Sequence, residues 1–202
     1  MANKSESEQL GKCVFVVGPE GSGSKLAARI CAAALGIAAF DEWDGDGWSD
    51  GGTHKVLHRS LPYGDPPRFP DVARWIADHE GQWDLYLVLT TRDRTLSHYS
   101  RMSRFPKSLR QVRSESEEAR AIMAEILGSG RKRFIWSYET FMFLGGAYLE
   151  ELQRFLGVDS TVLPHLVDGN EMRIARGCTG RWQVARAICE RYARALRLRL
   201  RV

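Results

Sequence analysis

Residues 13–35 read CVFVVGPEGSGSKLAARICAAAL, and this stretch decides the fold that the sequence predicts. The apolar run 13–17 predicts a buried strand, and residues 26–35 predict a helix whose apolar residues recur at helical spacing. Residues 18–25 form a glycine-rich turn between them. A strand, a glycine loop and a helix in this order cradle phosphate groups. The glycines let backbone N–H groups turn inward, and the helix N-terminus adds partial positive charge.

The loop departs in one place from the P-loop that binds nucleoside triphosphates. That motif requires Gly, four residues, and then Gly-Lys-Ser/Thr. Gly18 and Gly23 fit it, whereas Ser24 and Lys25 stand in reversed order, which moves the lysine about 100° around the helix axis. We therefore expect an anion cradle rather than an ATP–magnesium site, with a loop that serves only close packing as the alternative. The residues expected to form the cradle are Gly21, Ser22, Gly23, Ser24 and Lys25.

Length and composition indicate a soluble single-domain protein. The 202 residues suffice for one domain, which we expect to span 12–202 after a flexible tail, 1–11. The sequence holds no run of 18 apolar residues, and its polar start, MANKSESEQL, lacks the apolar core of a signal peptide. The four cysteines form no CxxC pair, which favours reduced thiols. A cytoplasmic location is therefore expected, without a transmembrane segment.

Alternating strands and helices continue along the chain. Together they predict an α/β fold of three layers around a central parallel sheet, similar to P-loop NTPases. The further strands are predicted at 55–59, 84–89 and 133–137, and the further helices at 71–79, around Ser97 and Ser100, at 114–127 with a capping box at Ser114, at 149–157 and at 182–200. Residues 40–55 are rich in Asp and Gly and predict an irregular loop. Trp43 and Trp48 in this loop either line an acceptor pocket or anchor the loop on the body.

Ligands of parallel sheets bind at the carboxyl ends of the strands. His58 and Arg92 stand at two of these ends. A magnesium-dependent kinase needs an acidic residue there, whereas strand 84–89 is followed by Thr-Thr-Arg. We therefore expect a donor whose charge is neutralised by the protein, without a metal. The net charge of +4 suits an anionic ligand but does not by itself indicate a nucleic acid.

Four pieces of the chain, in order, resemble the sulfotransferases that use 3′-phosphoadenosine 5′-phosphosulfate (PAPS). The matching pieces are Ser22-Gly23-Ser24 for the 5′-phosphosulfate loop, Arg92 with Ser100 for the 3′-phosphate element, Tyr138-Glu139, and Phe155-Leu156-Gly157. Ser97 is the alternative to Ser100, since Ser97-His98-Tyr99 is similar to the Ser-His-Tyr of other members. The family's lysine before Ser-Gly is replaced here by Gly21, and Lys25 is close enough to substitute. The chain is also short for the family, so its acceptor-binding parts are reduced.

The resemblance implies sulfuryl transfer from PAPS to a hydroxyl or amine of a small molecule, lipid or carbohydrate. Arg92 would clamp the 3′-phosphate, and Lys25 would neutralise charge on the leaving phosphate. His58 is the candidate general base, because histidine titrates near working pH. The family's catalytic histidine stands just before Leu-Pro, and His58 lies two positions earlier, on the same face of its strand. Glu42 is the reserve base.

Two other classes of function remain open at this point. The first is a P-loop kinase of nucleosides or small molecules that uses ATP and magnesium. The second is a non-enzymatic basic module that binds nucleic acid through the arginine-rich segment 182–200, although no stacking or nucleic-acid motif supports it. A family member that binds nucleotide but transfers nothing is also compatible with the altered loop.

Overall fold

The computed structural model describes residues 10–43 and 53–159. The elements in this part are β1 Lys12–Pro19, α1 Ser24–Ala34, β2 Asp41–Glu42, β3 Lys55–Leu61, α2 Val72–His79, β4 Asp84–Thr91, α3 Arg94–Arg104, α4 Leu109–Gly128, β5 Arg133–Ser137, α5 Tyr138–Leu144 and α6 Gly146–Leu156. Trp48 and the helix predicted at 182–200 lie outside the described residues. The proposal that 12–202 form a single domain therefore stays a prediction.

The five strands form one sheet in the order β2-β3-β1-β4-β5, and every neighbouring pair is parallel. The first strand of the chain is thus the central one. Helices flank this sheet, which confirms the predicted α/β class. Because β1 pairs parallel with β3 and β4, the carboxyl ends of these three strands lie at one edge of the sheet, where such folds bind ligands.

Alternate residues of β1 face two different layers, as the pleat of a strand requires. Phe15 lies in an apolar cluster with Trp43 and Trp75, and its ring centroid is 5.3 Å and 4.7 Å from theirs. The aromatic side chain of Trp43 is therefore an anchor of the segment 40–43 in the core. Val16 faces the opposite layer and pairs in register with His58 of β3. Helix α1 packs on β1 and β3.

Two local predictions are wrong. Residues 41–42 form the short strand β2 beside β3, so the irregular segment begins later than expected. Helix α4 begins at Leu109 rather than Ser114, and its capping box joins Ser108 and Gln111. The reason is that the polar residues before Ser114 extend the exposed face of the same helix, while Val112 among them is fully buried and fixes that first turn against the core.

The two described cysteines, Cys13 and Cys31, are buried thiols without a disulfide. Burial raises the pKa of each to about 12, so both stay protonated near neutral pH. The described residues thus agree with the expected reduced thiols, and Cys178 and Cys189 lie outside them.

Gly18 lies directly against β4, and we expect Gly18→Ala to destabilise the fold. A Cβ at Gly18 would lie 2.6 Å from the backbone oxygen of Thr90 and closer still to its Oγ1. Since the obstacle includes backbone, the sheet has to shift, and overpacking of this kind costs about 1–3 kcal/mol. Urea unfolding measures the loss. The matched control is Gly128→Ala, where a Cβ meets nothing within 4 Å in a helix, and which we expect to be neutral or stabilising. Equal midpoints for both variants would contradict the prediction.

Candidate functional site

The glycine loop joins β1 to α1 through two residues in the left-handed region of backbone conformation. Gly21 has φ +86° and Gly23 has φ +89°, which side chains with a Cβ rarely adopt. Ser22 N–H donates to Pro19 O at 2.9 Å and closes the turn. Gly23 is the N-cap of α1, and no side chain caps that helix. The first N–H groups of the helix therefore remain available to an anion.

Two side chains of the β4–α3 segment hold the carbonyls of this loop. Ser97 Oγ donates to Glu20 O at 3.1 Å, and Arg92 Nη1 donates to Gly21 O at 3.1 Å. In a trans peptide the N–H points away from the preceding carbonyl, so the bond to Glu20 O turns the N–H of Gly21 away from α3. Arg92 and Ser97, for which the sequence predicts contact with the 3′-phosphate, thus orient the loop.

Ser22 contributes differently from the expectation for a ligand-binding hydroxyl. Its Oγ is buried and lies 2.6 Å from Thr90 Oγ1 of β4, so the side chain ties the loop to the sheet. Any contact of Ser22 with a ligand would therefore come from its backbone.

Ser24, His58 and Glu42 form a continuous hydrogen-bonded chain. His58 Nε2 lies 2.8 Å from Ser24 Oγ, and His58 Nδ1 lies 2.7 Å from Glu42 Oε2. Lys25 Nζ lies 2.7 Å from Glu42 Oε1. The three elements that supply these groups, α1, β2 and β3, meet because β3 pairs with β1 on one side and β2 on the other.

The surroundings of His58 and Glu42 determine the protonation of these two side chains. Burial lowers the pKa of His58, and the charges of Lys25 and Arg59 act in the same direction, while the hydrogen bond and charge of Glu42 oppose them without reversing the shift. Burial acts to raise the pKa of Glu42, but the hydrogen bonds from Lys25 and His58 outweigh it and hold that pKa below its ordinary value. At neutral pH the imidazole is neutral beside a carboxylate. Its Nδ1 therefore carries the proton and donates to Glu42, and its Nε2 accepts from Ser24.

A cavity of about 810 Å³ opens in front of the loop, and we name it the cradle cavity. Its wall includes Gly21, Gly23, Ser24, Lys25 and Glu42 from the predicted site, together with Arg59, Tyr63, Arg104, Phe105 and Lys107 among others. His58 is fully buried behind this wall, whereas the side chain of Glu42 is 42% exposed. The proposed base and its reserve thus lie in contact, and the reserve is the one that reaches the cavity.

A second cavity of about 320 Å³ lies between α3 and α4, and we name it the α3–α4 cavity. Arg92 and Ser97 both line it, and the guanidinium of Arg92 also stacks on the Tyr138 ring at 4.5 Å. Ser100 is fully buried, lines neither cavity, and its Oγ has no hydrogen-bond partner among the residues that the structure describes. Of the two serines left open by the sequence, Ser97 is the one placed beside Arg92 at a cavity.

The Tyr138-Glu139 pair supports the site from the end of β5. The Tyr138 ring packs against Gly23 and stacks on the guanidinium of Arg92. Glu139 Oε1 accepts a hydrogen bond from the backbone N–H of Asp93 at 2.9 Å. Both residues therefore position the segment that holds Arg92 rather than face a cavity.

A buried ion cluster beside the loop was not predicted from the sequence. Arg101 is fully buried, and its Nε donates to Glu20 Oε2 at 3.2 Å. Its other nitrogens donate to Glu115, Ser116 Oγ and Val112 O. Lys107 Nζ completes the cluster at 3.0 Å from Glu115 and 3.5 Å from Glu20. Since Glu20 lies inside the glycine loop, this cluster fixes the loop against α3 and α4.

Comparisons with known proteins add no family. No protein-family model, no curated protein and no solved structure matches this chain. Within 10–43 and 53–159, the His, Cys, Asp and Glu side chains form no group of three able to hold a metal ion. In the same ranges, the helices are all too short or too polar to span a membrane.

Proposed function

We propose that the protein is a sulfotransferase that moves a sulfuryl group from PAPS to a hydroxyl or amine of a small molecule, lipid or carbohydrate. The observation that carries this proposal is the position of Arg92, which touches the glycine loop and lines the α3–α4 cavity. A nucleotide with one anionic group at the 5′ position and another at the 3′ position could place one on the glycine loop and the other beside Arg92, which touches both places. Arg92 would hold the 3′-phosphate, with Ser97 holding the loop beside it, and the loop would hold the 5′-phosphosulfate.

Charge neutralisation in this proposal comes from side chains. Strands β3 and β4 end without carboxylates, and both oxygens of Glu42 are engaged by Lys25 and His58. Lys25 lies at the N-terminus of α1 and would stabilise charge that develops on the leaving phosphate. A site with a lysine beside the loop and no carboxylate at the ends of β3 and β4 favours a sulfuryl donor over an ATP–magnesium complex.

The proton of the acceptor would go to the Glu42–His58 pair. Glu42 reaches the cradle cavity, and His58 donates to it from behind. In this proposal His58 positions Glu42, and Glu42, held ionised by Lys25 and His58, accepts a hydrogen bond from the acceptor at the cavity.

Thermal unfolding with nucleotides tests the proposal. We expect adenosine 3′,5′-bisphosphate to stabilise the protein with or without magnesium, by about 2.7 kcal/mol at a concentration 100 times its Kd, because it binds only the folded state. ATP without magnesium is the matched control and should stabilise far less. Stabilisation by ATP that requires magnesium, with no response to the bisphosphate, would instead assign the protein to the kinase class.

A further inference from the structure

The chain Ser24–His58–Glu42 has the geometry of a nucleophile, a base and a group that orients the base. Both contacts are within hydrogen-bond reach, at 2.8 Å and 2.7 Å. We propose that Ser24 is the nucleophile of a Ser-His-Glu triad and that the protein hydrolyses carboxylic esters at the cradle cavity. This activity goes beyond sulfuryl transfer and does not depend on it.

The local fold presents Ser24 as a nucleophile requires. Ser24 is the first residue of α1, directly after Gly23, whose φ of +89° makes the sharp turn from loop to helix. Because α1 begins just after β1 ends, Ser24 lies at the carboxyl edge of the sheet. The residue as a whole is 4% exposed and it lines the cradle cavity. A substrate in this cavity therefore lies beside Ser24, whose hydroxyl is held by His58 at the buried side of the wall.

The hydrogen bonds run in the direction that activates Ser24. The Glu42 carboxylate accepts from Nδ1, which leaves the lone pair of Nε2 for the Ser24 hydroxyl. The buried imidazole has a pKa below its ordinary value, so the neutral form that can take a proton is present at neutral pH. Lys25 and Arg59 are the positive groups facing this pair, and Lys25 binds the second oxygen of Glu42.

Donors for a tetrahedral oxyanion are present at the same point. The backbone N–H groups of the first turn of α1 have no helical partner, and no side chain caps this end. They belong to Ser24 itself and to the two residues that follow it. The positive end of the helix dipole and the Lys25 ammonium add to the stabilisation of negative charge there.

The reaction balances with water as the co-reactant. Ser24 Oγ attacks the ester carbonyl carbon, and its proton passes to His58 Nε2. The tetrahedral intermediate breaks the bond from carbon to the alkoxy oxygen, and His58 returns the proton to the leaving alcohol. Water then attacks the acyl-Ser24 carbonyl and gives its proton to His58, which returns it to Ser24 Oγ as the carboxylic acid leaves. The sum is ester plus water to acid plus alcohol.

A fluorophosphonate probe on the full chain, read by mass spectrometry, tests this proposal. We expect stoichiometric modification of Ser24 in the wild type and none in Ser24→Ala. Ser60→Ala is the matched control, because Ser60 lines the same cavity while the histidine hydrogen bond at this cavity belongs to Ser24, and labelling should persist. Absence of labelling in the wild type, or labelling that persists in Ser24→Ala, would overturn the proposal.

Variants of His58 and Glu42 show whether Ser24 reacts because the histidine activates it or only because it is accessible to the probe. His58→Gln should slow labelling of Ser24 about 100-fold or more, which is the usual contribution of a general base. Because His58 is fully buried, Glu42→Gln at the partly exposed end of the chain is the second variant, and it should slow labelling about tenfold or more with an unchanged melting temperature. Labelling at the wild-type rate in a folded Glu42→Gln protein would contradict the proposed triad.

The pH profile and a competitor complete the design. Labelling and p-nitrophenyl acetate hydrolysis should both be constant around pH 7 and fall in acid as His58 takes up a proton, at a pH below the ordinary histidine value. Rates that follow hydroxide concentration across this range would contradict activation by His58.

A separate experiment adds adenosine 3′,5′-bisphosphate as a competitor of labelling. Protection of Ser24 by it would support the sulfotransferase proposal, whereas labelling without protection would leave the triad standing and count against that donor.

Discussion

Arg101→Met is expected to cost about 3 kcal/mol of folding free energy, measured by urea unfolding. Removing one partner of a buried ion pair costs about 3–5 kcal/mol, because the remaining charge stays buried without its counter-charge. Arg101 is fully buried between Glu20 and Glu115. Lys107 touches both carboxylates and places the expected loss at the lower end of that range.

Two further variants make this result specific. Arg120→Met removes an exposed arginine that pairs with Glu117 three residues earlier, and it should cost less than about 1 kcal/mol. Arg101→Met combined with Glu115→Met replaces the arginine and one of its two carboxylate partners by apolar groups, leaves Glu20 paired with Lys107, and should recover part of the loss. A double variant that is less stable than Arg101→Met alone would show that the cluster is not held together by these charges.

Arg92→Ala is expected to weaken binding of adenosine 3′,5′-bisphosphate by about 1.5–3 kcal/mol, the usual value of a hydrogen bond to a charged group. This corresponds to a Kd about 10- to 150-fold higher, measured by isothermal titration. Adenosine 5′-monophosphate lacks the second phosphate, so its affinity should change much less in the same variant.

Arg94→Ala is the matched control for Arg92. Arg94 lines the same α3–α4 cavity, but its guanidinium is exposed and pairs with Glu117. We expect its loss to leave bisphosphate affinity within about threefold, as for other exposed pairs. An equal loss in both variants would mean general attraction of anions to a positive surface, and an unchanged Kd in Arg92→Ala would remove Arg92 from the site.

The parts of the fold that local pattern determines were predictable. The strand 13–17, the glycine turn and the helix after it lie within β1, the loop and α1 of the structure. Apolar runs and turn residues act over a few positions, so one sequence carries their signal. The parallel class followed from the alternation of strands and helices, and the structure confirms it.

The contacts of the site depend on register, and single-residue patterns do not specify register. Ser24, His58 and Glu42 were each named as separate candidates, but their hydrogen bonds require β3 to lie between β1 and β2 with Glu42 opposite His58. The choice between Ser97 and Ser100 depends on the phase of α3, because three residues differ by about 60° around a helix. That phase is set by the packing of α3 against α4 and the glycine loop, which the sequence left open.

Arg101 shows the limit most clearly. It is one of three arginines of α3, and nothing in its neighbours marks it as buried. Its burial follows from Glu20, which is 81 positions away in the sequence, and from Glu115 on the next helix. Each residue of such a long-range ion pair, taken alone in the sequence, is typical of a solvated surface charge. The sequence therefore does not show that the two residues pair.

The position of β1 at the centre of the sheet has a consequence for synthesis on the ribosome. The chain emerges from its N-terminus, so β1 appears first, whereas its two hydrogen-bonding partners end at Leu61 and Thr91. Until the second partner has left the exit tunnel, one edge of an apolar strand has no native neighbour. A fragment of the chain that stops before β4 therefore retains an open edge of an apolar strand, which favours aggregation.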